Sequence, residues 1–132
     1  MAEVRLAALC DHALVGQDGK VSLLGIFRNI SVSALPAQHP RMYLVAVLEL
    51  ASGAHRVTVD LRRPDGTPAM PNPPTISVQA APGQDVNVIV ELNNLNLVAF
   101  GEHHFVLVAD GEQLASLPLT VSELPKTPGR SN

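Results

Sequence analysis

The sequence predicts an all-β fold, a single antiparallel sandwich of two sheets with about eight strands. Apolar residues recur at every second position, and the alternating segments are separated by Gly, Pro and Asp-Gly breaks. Alternation of this kind is the pattern of strands that bury one face, and no segment has the periodicity and end caps of an amphipathic helix. The order of long and short connections is typical of a Greek-key arrangement with immunoglobulin-like character.

Four strands are predicted in the first half of the chain, over residues 4–15, 20–27, 41–50 and 55–63. Gly25 lies inside the second of these strands, which indicates a bulge or a close approach of another backbone. The apolar pattern of that strand extends to Ile30 and Val32. Residues 34–40 contain two prolines and are predicted to form a connection, because proline cannot donate to a ladder.

The second half is predicted to hold a proline-rich loop and further strands. Residues 68–74 include four prolines, which excludes a helix or ladder pairing and predicts a mobile surface loop over residues 70–74. Strands follow over residues 75–80, from residue 86 onwards, over 103–109 and over 113–121, with a corner at Gly101. The apolar phase changes at Asn93 and Asn94, so we expect a bulge or a bend there. The sandwich is predicted to span residues 1–122, and residues 123–132 are predicted to form a flexible tail.

Composition limits the classes of function. Hydrophobic residues make up 46% of the chain and aromatic residues 3%, with no Trp, so the core is predicted to be aliphatic. The net charge is −3 with no block of Lys and Arg, which argues against a nucleic-acid partner. The single cysteine, Cys10, cannot form an internal disulfide, which is typical of a reducing compartment. Charged residues interrupt the first fifteen positions, and no apolar run approaches the roughly 20 residues that span a bilayer. We therefore expect a cytoplasmic protein without a membrane partner.

Cys10 and His12 are the main candidates for chemistry, because they lie two positions apart on one strand face. A zinc site would need two further ligands, and a thiol nucleophile would need a lowered pKa and an orienting group. The other histidines are scattered, at His39, His55, His103 and His104. Cys10 also shares its face with apolar residues, which favours a small core residue. The prediction is therefore no enzyme, no metal and no cofactor, with a metal-dependent or thiol enzyme centred on Cys10 and His12 as an alternative.

The remaining motifs give no catalytic signature. The sequence has no nucleophile elbow, phosphate loop or paired carboxylate motif. The turns over residues 16–19 and 110–112 lack the density of oxygen ligands that a calcium loop needs. His103 and His104 are neighbours on a strand and point to opposite faces, so one is predicted to be partly buried and the other exposed.

Two strands are apolar on both faces, whereas an antiparallel sandwich usually leaves one face wet. In the strand over residues 103–109, Phe105 and Leu107 lie on one face and valines on the other. In the strand over residues 41–50, Val45 and Val47 lie on one face, and Met and Leu residues lie on the other. Loops or a partner must cover the second face. We predict a candidate interface, for an unknown protein partner or a face-to-face homodimer, made of Val106, Val108, Met42, Leu44 and Leu48.

Two stretches resemble a family of small bacterial proteins of unknown function. Residues 19–27, GKVSLLGIF, resemble the family's G-K-x-x-x-x-G-I-F segment, and residues 105–112 with 117–121 are similar to its closing hairpin. The resemblance spans residues 4–121 and implies the sandwich fold with no assigned activity. Residues and resemblance together predict a non-enzymatic module for protein interaction or assembly. The alternatives are the enzyme centred on Cys10 and His12 and a carrier with a small ligand between its sheets.

Overall fold

The computed structural model describes residues 2–125, which form nine strands in two sheets and, within that range, no helix. The all-β fold and its division into two sheets are confirmed. The strands are β1 (Glu3–Val15), β2 (Val21–Ile26), β3 (Asn29–Val32), β4 (Ala37–Glu49), β5 (Gly53–Arg62), β6 (Thr75–Ala80), β7 (Val86–Leu97), β8 (Gly101–Ala109) and β9 (Glu112–Glu123). Residues 126–132, which make up most of the predicted flexible tail, lie outside the described residues.

The strand order is β2-β1-β4-β7 in one sheet and β3-β9-β8-β5-β6 in the other. All pairs are antiparallel except β3 with β9, which is parallel. The strand predicted over residues 20–27 is β2, and the apolar pattern that extends beyond it to Ile30 and Val32 is a separate strand, β3, in the other sheet. This division gives nine strands instead of about eight, and it makes the sandwich mostly rather than wholly antiparallel.

The core lies between the sheets and is aliphatic apart from one phenylalanine, Phe105, which is fully buried. β7 shows how alternation builds it, because Val86, Val88, Val90 and Leu92 are buried while the residues between them are more exposed. Burying one such aliphatic side chain stabilises the fold by about 1.5–3 kcal/mol. The two sheets therefore hold together through side chains that alternate along each strand.

The predicted change of phase in β7 is confirmed, and β4 shares it. The two strands keep one register from Leu48 opposite Val86 to Ala37 opposite Leu97, with no inserted residue. Asn94 has a positive φ of 52°, and the buried set of β7 changes there from Leu92 to Leu95 and Leu97. In this register Pro40 stands opposite Asn94, so both strands change phase at the same place. The predicted connection over residues 34–40 is correspondingly shorter, since β4 begins at Ala37.

The proline-rich segment differs from its prediction. It lies along the edge of β5, where the Ala69 N–H donates to the Leu61 carbonyl over 2.8 Å and the Val59 N–H donates to the Pro74 carbonyl over 3.0 Å. The prediction that four prolines exclude ladder-type bonds was wrong, because Ala69 supplies a donor between them and a proline carbonyl still accepts. The segment covers the part of β5 that β6 does not pair with. Its mobility stays a prediction.

Candidate functional site

Three of the five residues predicted as an interface lie in the core. Met42, Leu44 and Leu48 are 0% exposed and belong to the cluster between the sheets, so their assignment to an interface was wrong. The sequence of a strand that is apolar on both faces does not indicate which face points inward. The prediction assigned the inward face of β4 to the interface. The outward face of β4 carries Val45 and Val47.

The other two predicted interface residues point outward from the five-stranded sheet. Val106 and Val108 are half-buried on β8, the central strand of that sheet. Their cross-strand neighbours are polar: Val106 stands opposite Asp60 and Ser116, and Val108 stands opposite Thr58. The apolar surface here is one strand wide and has polar residues on both sides. Its use as an interface stays a prediction.

Cys10 is packed, as the interpretation of a core residue predicted. It is 0% exposed in a second apolar cluster on the outer face of the four-stranded sheet, together with Ala13, Tyr43 and Val45. Burial raises the pKa of the Cys10 thiol. His12 packs its ring edge to face against Tyr43, with 5.4 Å between ring centroids. Among residues 2–125 no group of three or more His, Cys, Asp or Glu side chains is placed to hold a metal ion.

We therefore expect Cys10 to resist alkylation in the folded protein. A thiol that must wait for unfolding reacts slower by the unfolding equilibrium constant, a factor of at least about 10³ for a domain of ordinary stability. Mass spectrometry of samples quenched during iodoacetamide treatment, with and without urea, measures this factor. Reaction at the rate of a free thiol without urea would contradict the packing and revive the thiol-enzyme alternative.

The two adjacent histidines lie on opposite faces, as predicted. His103 is 2% exposed, its Nδ1 lies 3.2 Å from the carbonyl oxygen of Gly101, and burial lowers its pKa. His104 has a half-exposed side chain whose Nε2 lies 2.9 Å from Oε2 of Glu102. The two rings therefore lie in different surroundings on opposite faces of the sheet, and they cannot bind one ion together.

The open side of the sandwich is a site that the sequence did not predict. β2 pairs with β1 only from Cys10 to Val15, and β3 pairs with β9 only from Thr120 to Glu123. Beyond those residues β1 and β9 have no strand partner on this side within the described chain. The space between them, here called the edge groove, has a volume of about 290 Å³. Its lining is mostly apolar and consists of Ala7, Ala8, Leu9, Ile26, Phe27, Arg28, Ala115, Ser116, Leu117 and Pro118.

The link between β2 and β3 closes one end of the edge groove by bonding to both free edges. The Phe27 N–H donates to the Leu9 carbonyl over 3.0 Å, and the Thr120 N–H donates to the Arg28 carbonyl over 2.8 Å. The side chain of Ile26, which leads into this link, is 64% exposed. Backbone groups on both edges thus already form hydrogen bonds with another segment of the main chain at this place.

The two edges of the groove differ in how well they are protected against pairing with a further strand. β9 carries Pro118, which has no N–H to offer. β1 has an irregular register between Val4 and Leu6, where Arg5 forms ion pairs with Glu49 at 2.7 Å and Asp85 at 2.8 Å. Bulges, prolines and charges are common protections of edge strands. The unprotected stretch is therefore the part of β1 between this irregularity and Cys10.

Electrostatics single out one charged side chain in the groove. Arg28 lines it and is exposed, and within residues 2–125 no carboxylate lies within 4.0 Å of its guanidinium. Leu6, two positions from Ala8 on the outer face of β1, is 43% exposed beside the groove. The groove therefore combines apolar surface, a free backbone edge and one available cation.

Comparisons with known proteins identify the family. Residues 5–122 match a family of unknown function (DUF6941), so the chain belongs to this family. No curated protein matches the chain. Within the described residues no helix has the length and apolar character needed to cross a membrane.

One solved structure with a similar chain is the Pseudomonas fluorescens alkylpurine DNA glycosylase AlkC, bound to DNA containing an abasic site analog. The identity is 16% and the TM-score 0.44, over 88% of this chain and 30% of the glycosylase chain. The chain thus spans less than a third of that enzyme's length. A similarity of this size supports no argument about function.

Proposed function

We propose that this member of the family is a non-enzymatic protein-interaction module that binds an extended peptide segment of a protein partner in the edge groove. The free edge of β1 beside an apolar groove is the observation that carries the proposal. An edge strand presents N–H and C=O groups with which a further strand can pair. Main-chain pairing of this kind gives affinity in several peptide-binding domains, and side-chain pockets give specificity.

β1 is the edge that the peptide would pair with. The Leu9 carbonyl already bonds to the β2–β3 link on the groove side. The N–H and C=O of one residue point to the same side of a strand, and this side alternates from each residue to the next. Ala7 lies two positions from Leu9, so its N–H and C=O also face the groove. On β9, Pro118 interrupts the corresponding row of donors. An added strand therefore finds its bonds on the four-stranded sheet and its apolar contacts on both walls.

The lining of the groove defines the chemistry of the peptide. Ala7 and Ala115 are small, and they leave room for aliphatic side chains at alternate positions of the peptide. Arg28 at the mouth offers a guanidinium that a peptide carboxylate can pair with. The expected ligand is an extended segment with aliphatic residues at every second position and an acidic residue close to them.

The proposal includes the class of partner and its location. A net charge of −3 and an apolar lining favour a protein over a nucleic acid. The single thiol, Cys10, is free and lies in an apolar cluster, which suits a reducing, cytoplasmic setting. The proposed role is therefore recognition inside the cell.

The test uses a displayed library of random linear peptides selected on the full chain. We expect the selected peptides to share the pattern given above. Ala7→Pro removes the N–H that faces the groove and should weaken their binding by up to about tenfold, the worth of one hydrogen bond. Arg28→Glu should reverse the preference for an acidic residue, and it keeps the test decisive if Ala7→Pro does not fold.

Two alternatives predict different results in the same experiment. If Val106→Lys with Val108→Lys abolishes binding while Ala7→Pro does not, the partner binds the outer face of the five-stranded sheet and the groove proposal is wrong. If no peptide is enriched and the protein sediments as a dimer that Ala7→Pro dissociates, the edge of β1 binds a second copy. A carrier of small ligands is the weaker candidate, since about 290 Å³ lies just below the usual size of ligand pockets.

A further inference from the structure

His55 is fixed between two oxygen atoms at the end of the sandwich where the β4–β5 loop meets the β8–β9 turn. Its Nδ1 lies 2.6 Å from Oδ2 of Asp110, and its Nε2 lies 2.6 Å from the carbonyl oxygen of Ala51. The side chain of His55 is 14% exposed. Both contacts are short enough to be strong hydrogen bonds.

Both of these partners are acceptors. The carboxylate of Asp110 and the carbonyl of Ala51 have no proton to give, and a neutral imidazole has only one N–H. The neutral ring would leave a nitrogen lone pair facing an oxygen atom at 2.6 Å. Only the doubly protonated imidazolium donates to both oxygens.

We infer that His55 is a proton-dependent strap that fastens the β4–β5 loop to the β8–β9 turn while it is charged and releases the loop when it loses a proton. The contact that fails is the one to Ala51, because Asp110 is fixed by other bonds. Oδ1 of Asp110 accepts the Arg56 N–H over 2.9 Å, and the Asp110 N–H donates to the Arg56 carbonyl over 2.9 Å. A neutral His55 therefore keeps its Nδ1–H on the carboxylate.

The charges around the ring favour the protonated form. The hydrogen bond to Asp110 raises the pKa of His55, the Ala51 carbonyl adds to this, and desolvation by burial opposes it. The pKa of Asp110 is lowered, first by the bond from the Arg56 N–H and then by His55. Glu112 is the other titratable group that lines the small cavity beside His55.

The direction of the pH effect follows from the raised pKa. The stabilisation that the strap gives is complete below the ordinary histidine pKa of 6.5 and is lost as the pH rises through the folded-state value. His103 acts in the opposite direction, because its pKa is lowered and its contribution is lost as the pH falls below 6.5. Release would therefore loosen the β4–β5 loop at alkaline pH, while the β8–β9 turn stays in place through the bonds between Asp110 and Arg56.

NMR of the full chain, uniformly labelled with heavy nitrogen, tests the strap. We expect both ring nitrogens of His55 to be protonated at pH 6.5, and its pKa to lie above 6.5. The amide signals of Ala51 and Ser52 should shift with the same midpoint, and hydrogen exchange of the β4–β5 loop amides should quicken above it by more than the intrinsic rise of exchange with pH. His55 with one N–H at pH 6.5, or a titration that leaves Ala51 unmoved, would overturn the inference.

Two matched variants extend the test to stability. In His55→Gln the fall of the urea midpoint between pH 6.5 and 9 should flatten, while the fall below pH 6.5 stays. In His104→Gln, which removes another histidine beside a carboxylate, the alkaline fall should persist. Equal alkaline falls in the wild type and His55→Gln would contradict the strap, and the NMR measurement stands alone if His55→Gln does not fold.

Discussion

Leu44→Lys is expected to unfold the domain. Leu44 is 0% exposed on the inward face of β4, and the substitution removes its burial, worth about 1.5–3 kcal/mol. It also leaves a buried ammonium without a partner, which costs several kcal/mol more. A domain of this kind has about 5–15 kcal/mol of stability, so most or all of it would be lost. Far-UV circular dichroism and the dispersion of amide signals at 25 °C measure the result.

Val47→Lys is the matched control, three positions along the same strand. Val47 is half-buried on the outer face of β4, where the stem of a lysine can lie along the sheet while its ammonium reaches water. We expect a loss of stability of no more than about 1 kcal/mol. A folded Leu44→Lys together with an unfolded Val47→Lys would mean that the faces of β4 are the reverse of those described.

The contrast between these two positions shows which properties of a strand can be predicted from its sequence. Strict alternation predicts that β5 exists and which way it faces, because only one of its faces is apolar. β4 is apolar on both faces, and there the pattern predicts a strand without its orientation. The inward face is decided by tertiary packing, in which Met42 meets the core and Val45 joins the smaller cluster around Cys10.

The edge groove could not be predicted because it depends on where two pairings stop. Phe27 and Arg28 carry no Gly or Pro break, so the sequence shows no change of sheet between the strand predicted over residues 20–27 and the apolar pattern that extends to Val32. Only the structure shows that the chain changes sheets at this link and leaves β1 and β9 unpaired beyond it. Ile26 is apolar and 64% exposed, but only the structure shows this exposure, so the sequence did not indicate the groove.

The local features around the His55 strap could be predicted from the sequence, but its contact with Asp110 could not. The Asp-Gly pair predicted the β8–β9 turn, and in the alternation of β5 His55 shares the face of Val57 and Val59. Their contact joins residues 55 positions apart, and it needs the register that sets Val57 opposite Ala109. Turn chemistry is local and can be read from neighbouring residues, whereas the register of distant strands is set by packing.

Gly101→Ala is expected to be among the most destabilising single substitutions outside the core. Gly101 begins β8 at the predicted corner with a φ of 119°, a conformation that L side chains rarely adopt. Such strain costs about 1–3 kcal/mol. A Cβ at this position would also lie 3.0 Å from Cγ and 3.4 Å from Cβ of Pro64, whose ring is rigid, so the backbone must move. Overpacking of this kind adds about 1–3 kcal/mol.

Gly53→Ala separates the two causes. Gly53 has a φ of 124°, close to that of Gly101, but a Cβ there would meet nothing within 4 Å. We expect Gly53→Ala to lose only the conformational part, and Gly101→Ala to lose more by the cost of moving Pro64. Urea unfolding of both variants measures the difference. Equal losses would show that Pro64 yields without cost and that the corner is required for its backbone conformation alone. In that case the ring of His103, which contacts the Gly101 carbonyl, should keep its position and its lowered pKa in the Gly101→Ala variant.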